Sequence, residues 1–325
     1  MLGEILALLA AFSFGCANVM VKKGSTSISD NGAFLSLLIT FSLAGIITLV
    51  NGLLRSWAHL TANGIWWFIL AGVLTAFLGR SLLFTSIQHL GSVRASAIKR
   101  LNPLFTVLIG VLFLHEPLNS VIITGMIFVF ASSAVLMIES MTLYKNANKE
   151  VAATTQPNEK TTLENEHESR RNLWVRWIQL IASFGYIYGV VSALAYSIGY
   201  VVRKEGLNEI PDPFFGTTVG AFIGVLIFLI FSLFKQRYRE SIRSTFSSFQ
   251  PWLFGAGTAT SLGQILYFSA LTVSGVSQVS VIASTDVIIT LLLSSLVFKT
   301  HEAITKTVIF ASVIAMIGAG LIAVG

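Results

Sequence analysis

The chain has 325 residues, 54% of them hydrophobic and only 11% charged, with a mean hydropathy of +0.78 and a formal net charge of +6. Soluble domains carry about 25% charged residues, so a soluble globular protein is excluded. The 21 basic residues are spread over many short loops rather than gathered on one face, which argues against a nucleic-acid partner. The single cysteine, Cys16, excludes an internal disulfide and a cysteine-based metal site.

A helix needs about 20 apolar residues to cross roughly 30 Å of hydrocarbon. Ten stretches qualify: 3–21, 33–54, 65–87, 95–114, 119–138, 183–202, 214–234, 251–272, 277–298 and 304–324. The first carries Glu4 instead of a basic leader and runs apolar to Val21 without a clear cleavage site, so it reads as a permanent span. Trp57, Trp66, Trp67 and Trp252 sit near span ends and suit the membrane interface. Residues 139–182 mix acidic and basic residues in a polar run that cannot bury a core, and so form a linker. Trp174, Arg176 and Trp177 near its end fit a lead-in lying among headgroups.

The two flanking segments, 1–138 and 183–325, repeat each other. Ala11, Ser13 and Gly15 recur as Ala195, Ser197 and Gly199, a shift of 195 − 11 = 184. Gly79, Phe84 and Gly91 recur at that shift as Gly263, Phe268 and Gly275, and His115-Glu116 returns as His301-Glu302 after a two-residue slip. Five spans per copy is an odd number, so the second copy is expected upside-down relative to the first. The expected fold is an all-α membrane protein of ten transmembrane helices in two inverted five-helix repeats, with its site between them.

The small-residue first span ending in Lys22-Lys23-Gly24, the LNPLF motif at 101–105 and a glutamate closing the fourth and ninth spans complete the pattern. Together they resemble the EamA branch of the drug/metabolite transporter superfamily. The resemblance implies a carrier of small metabolites, often an exporter, with a cavity lined by both halves. One departure stands out: Asp286-Val287 replaces the Asn102-Pro103 of the first half, so no proline kink is expected in the ninth span. Basic residues concentrate in the loops after odd-numbered spans, which by the positive-inside rule puts both termini outside. The resemblance implies termini inside.

Charged and polar residues within the spans are the candidate site. A basic side chain at mid-bilayer costs about 2.5 to 3.5 kcal/mol on insertion scales and normally faces protein or water. Arg80 is the deepest, with Lys99 and Arg100 near a span start; snorkelling to the surface is the competing explanation for all three. Lys99, Asn102, Thr106 and Gly110 share one helical face, and the 184 shift turns them into Ala283, Asp286, Thr290 and Ser294. Two such faces make either a hydrated groove or a close helix packing. Pro103 would leave the carbonyl of Lys99 without its backbone donor. Asp286 reads either as the structural partner of Arg80 or Lys99 or as a group facing protons or substrate. Asn18, Gln264, Tyr196, Tyr200 and Tyr267 are further candidates, with interior hydrogen bonding as the alternative; Glu4, Glu116 and Glu302 read as span-end residues.

No Walker loop, HExxH, GxSxG or metal-ligand cluster is present, so neither an enzyme nor a cofactor is expected. The expected partners are the lipid bilayer and a small-molecule substrate, polar or anionic because intramembrane cations outnumber Asp286. A coupling proton and a second copy of the chain are further candidates. The site residues expected to bind substrate are Arg80, Lys99, Asn102, Thr106, Asp286, Thr290, Gln264, Asn18 and Tyr196, in a multi-pass protein of the cell membrane.

Overall fold

The computed structural model describes residues 1–25, 32–55, 60–90, 95, 98–99, 101–114, 119–132, 134–135, 138, 164–247, 249–298 and isolated positions between 306 and 321, with 164–184 given by backbone alone. Arg100, Glu116, Glu302, Trp57, all of 139–163 and most of 304–324 lie outside them. Every regular element among the described residues is helical. In the order of the chain these are α1 Leu2–Ser25, α2 Ala33–Arg55, α3 Ala62–Leu90, α4 Leu101–Leu114, α5 Ser120–Ser132, α6 Glu164–Glu209, α7 Pro213–Phe234, α8 Gln236–Ser247, α9 Pro251–Val273, α10 Val276–Ala283 and α11 Asp286–Phe298.

Apolar side chains turn outward and small or hydroxyl residues turn inward, as they must where lipid is the solvent. On α1, Leu8, Leu9 and Phe12 are exposed while Ala7, Ala10, Ala11 and Ala17 are buried. Six helices among the described residues are long and apolar enough to span a bilayer. Pro251–Val273 is not among them, since it turns Thr260, Ser261 and Gln264 into the interior and its composition is correspondingly polar. The expected fourth and fifth spans are described only over the shorter α4 and α5.

Local chemistry sets the ends. Asp212 accepts from the backbone N–H of Phe214 and Phe215, at 2.9 and 3.0 Å, and Pro213 occupies the first turn of α7. Thr61 caps α3 through the N–H of Gly64. Three boundaries differ from the sequence reading. Helix α6 runs on to Glu209, past the expected end at 202, because the stop signal is Pro211-Asp212-Pro213; its other end reaches back to Glu164, inside the expected linker. Helix α3 contains a π-helical turn over Gly72–Gly79, immediately before Arg80. The ninth span is broken at Ser284 and Thr285, whose hydroxyls return to the carbonyls of Val281 and Ile282 at 2.6 and 2.8 Å. Span nine is therefore interrupted next to the position of Pro103, but by hydroxyl residues instead of proline.

The two halves pack against each other in matched pairs. Helix α1 lies on α9 as α6 lies on α3; α2 contacts α9 as α7 contacts α3; α1 meets α10 and α11 as α6 meets α4. The contacts α2 with α7 and α4 with α10 map onto themselves when the halves are exchanged. At the α3–α7 crossing, a Cβ on Gly72 would stand 2.7 Å from the Cα of Gly220, so only a bare backbone permits this approach.

A candidate transport site between the halves

Where α4 and α10 meet, the break in the ninth span brings the first residue of α11, Asp286, toward the interior. Its Oδ2 lies 3.0 Å from the Nζ of Lys99, an ion pair that joins the first half to the second. The Lys99 ammonium also stands 4.7 Å from the ring centroid of Phe14, on α1. Both side chains are largely withdrawn from solvent, at 13% and 3% exposure. Buried that deeply, each charge relies on the other: a single partner removed from such a pair leaves an uncompensated charge.

Around this pair is a hollow of about 310 Å³ of empty space, lined by Lys99, Asn102, Pro103, Tyr200, Tyr267 and Asp286 among others. A second of about 290 Å³ shares Phe14, Lys99 and Tyr200 with it and adds Asn18 and Tyr196. The space left inside holds a few waters, not a metabolite. Of the expected site residues, Asn18, Lys99, Asn102, Tyr196 and Asp286 line the hollows.

The rest form a layer behind. Thr106 is fully buried and donates to the Oδ1 of Asn102 at 2.8 Å, while Ser197 from α6 stands 2.9 Å from the Asn102 carbonyl. Thr290 donates to the carbonyl of Asp286 at 2.8 Å and accepts from the Nδ2 of Asn18 at 3.3 Å. Within the stripe, Lys99, Asn102 and Asp286 face the hollow, Thr106 binds back to Asn102 and Thr290 reaches α1 through Asn18. Gln264, the repeat partner of Arg80, is buried outside the lining.

Arg80 is also outside the lining. It is 0% exposed, and its Nη1 donates to Ser36 at 3.1 Å and to Thr40 at 2.9 Å, both on α2. Thr40 is in turn 2.8 Å from Ser261 of α9. The π turn ending at Arg80 adds a local change of phase that sets the direction of this side chain. Tyr196, which lines the second hollow, is close enough to interact with the Arg80 charge. Snorkelling does not describe a side chain with no exposed surface.

Arg203 is the residue that the sequence reading passed over. Placing the sixth span's end at 202 put it in a loop, whereas on α6 it is 1% exposed and its guanidinium lies 3.5 Å from the ring centroid of Phe268. The signal was available: Pro211-Asp212-Pro213 is a stronger helix terminator than a charged dipeptide. Lys204 beside it donates to the carbonyl of Leu271 at 2.6 Å, closing the end of α9. A tyrosine wall stands beside both arginines, Tyr196 to Tyr200 at 5.5 Å and Tyr200 to Tyr267 at 4.4 Å between centroids.

The model of a family described as "EamA-like transporter family" matches the chain twice, over residues 1–138 and 183–324. Twenty-eight solved chains are similar in structure. One of these, described only as "Crystal structure of protein", superposes with a TM-score of 0.64 and 14% sequence identity, covering 98% of this chain and 95% of its own; at that identity the likeness shows the fold alone. No curated protein matches the sequence.

Proposed function

We propose a transport cycle for this chain, which belongs to the EamA-like transporter family, a family of transporters and not of enzymes. The chain is a multi-pass membrane protein; the reading beyond that is a secondary carrier that exports a small anionic, carboxylate-bearing metabolite across the cell membrane. Its frame is ten spans in two inverted five-helix repeats, supported by the contact pattern that survives exchange of the halves.

The observation that carries this reading is the charge balance of the interior. Among the described residues, Arg80 and Arg203 are buried cations and Lys99 a partly buried one, and Asp286 pairs with Lys99 alone. A surplus of buried cations is costly unless an anion offsets it. While the pair is made, Asp286 occupies the ammonium of Lys99; an incoming carboxylate takes its place there and frees the two halves, which the ion pair otherwise ties together, to rock about the hollow. Alternating access then follows from making and breaking one bridge, driven by a gradient, since the sequence carries no nucleotide-binding motif.

The test is an untargeted comparison of metabolites inside and outside cells with and without the protein. Anionic metabolites accumulating in the medium support export. Depletion of the medium reverses the direction, and an unchanged profile under several growth conditions removes the transport reading.

A further inference from the structure

The two buried arginines come from positions that do not correspond in the repeat, yet their guanidiniums settle at places that do. Arg80 on α3 donates to Ser36 on α2. Arg203 on α6 lies against Gly220 on α7, whose added Cβ would stand 2.6 Å from Nη2 of the arginine. Ser36 and Gly220 are repeat partners, since 220 − 36 = 184, the shift that relates the two halves. Two cationic seats therefore lie on the two sides of the exchange relation, filled from different helices. They are near enough to repel each other, and Tyr200 interacts with both.

Neither seat is complete. No described carboxylate pairs with either arginine, and Nε and Nη2 of Arg80, with Nε and Nη1 of Arg203, are buried without a hydrogen-bond partner. Charged donors in that state are expensive to keep. Four unpartnered nitrogens carrying six N–H bonds on two cations, behind a wall of tyrosines that faces the hollow, match a ligand with two negative charges and several acceptor oxygens. Phe268 offsets part of the cost for Arg203 from one side, but a ring face supplies no acceptor for the N–H edge.

We infer that Arg80 and Arg203 together form an anion seat behind Tyr196 and Tyr200, and that its ligand is a small dianion, a dicarboxylate or a phosphate. This rests on the transport reading and narrows it: Lys99 receives the anion first, and the tyrosines turn aside to pass it to the arginine pair.

The experiment is thermal unfolding of the purified full-length protein in detergent at pH 8 and constant ionic strength, titrated with chloride, acetate, succinate or inorganic phosphate. Succinate or phosphate should raise the midpoint by several degrees at millimolar concentration, with acetate and chloride far weaker; which of the two acts decides between a dicarboxylate and a phosphate. Arg203→Gln and Arg80→Gln should each weaken half-saturation at least tenfold, and Gly220→Ala should do so by pushing Arg203 off its seat. Equal responses to acetate and succinate, no response to any anion, or a response that survives Arg203→Gln each overturn the seat. Should the glutamine variants not fold, the contrast between acetate and succinate in the unmodified protein still decides the charge, and Arg203→Lys, which keeps the charge and loses the fork, should retain only part of the response. A dianion response in a protein that transports nothing in cells would sink the transport reading and leave the seat standing; transport of a monoanion would do the reverse.

Discussion

The two halves of this chain share a backbone plan and divide the chemistry. At corresponding positions the first half has Arg80, Lys99, Asn102 and Pro103 where the second has Gln264, Ala283, Asp286 and Val287. The shared plan is visible in the matched helix pairs; of these differences, Lys99, Asn102, Pro103 and Asp286 lie at the hollow, while Arg80 and Gln264 are buried outside its lining. On the proposed cycle a duplicated scaffold opens two ways, and an unequal distribution of charge is what would make those two ways distinguishable to a ligand. If sign and side matter, restoring symmetry at one position should harm transport more than it harms folding.

The largest effect is expected at the bridge. Lys99→Ala leaves the Asp286 carboxylate buried without its cation, which should lower stability by about 3–5 kcal/mol and abolish transport; detergent unfolding and cell-based export assays read the two. The exchanged pair, Lys99→Asp with Asp286→Lys, should recover most of the stability but not the transport, because the cation then belongs to the wrong half. Recovered transport would mean that the pair is only a clamp. Next comes the arginine. Gln264→Arg gives the second half its missing cation and should cost about 2.5–3.5 kcal/mol, whereas Arg80→Gln copies the second half into the first and should cut transport at least tenfold with little loss of stability. A sharp fall in melting temperature for Arg80→Gln would recast this residue as a packing element of the Ser36–Thr40 network.

A smaller effect tests the plan itself. Gly72 corresponds to Ala256, since 256 − 72 = 184, so one half carries a methyl group where the other carries none. In the first half that methyl would meet the Gly220 backbone at 2.7 and 2.9 Å. Gly72→Ala should therefore destabilise by about 1–3 kcal/mol, and an unchanged melting curve would mean that the α3–α7 crossing is looser than this packing implies.

How much of this could be read from residues alone follows from what each signal depends on. The six long apolar helices among the described residues and the two-copy repeat were legible because hydrocarbon thickness and a constant shift leave marks in one dimension. The partner of Asp286 was legible only as a choice between Arg80 and Lys99, since spacing along a helix does not say which neighbouring helix comes to meet it. Arg203 was misplaced for a definable reason: the apolar run ends at Val202, whereas the helix continues through Arg203-Lys204-Glu205 toward the Pro-Asp-Pro stop that begins eight residues after Arg203. The break in span nine left no proline to see, because Ser284 and Thr285 turn the chain with their hydroxyls. The tyrosine wall is a tertiary feature, built from Tyr196 and Tyr200 on α6 and Tyr267 on α9, and no periodicity joins those two helices.

The smallest expected effect bears on that break. If span nine is interrupted without proline, Pro103 is not what makes span four able to move, and Pro103→Val, which writes the second half's residue into the first, should change stability by less than about 1 kcal/mol, because proline in the first turn of α4 costs the helix little. Transport should slow by a few-fold at most, with the Lys99–Asp286 bridge unaffected. The pair Ser284→Ala with Thr285→Val should be the more damaging change, since it removes the hydroxyls that hold the interruption which presents Asp286. Loss of transport in Pro103→Val with a normal melting curve would invert this order. The moving joint would then lie in the first half, with the charge that the second half contributes acting as a fixed post against which it closes.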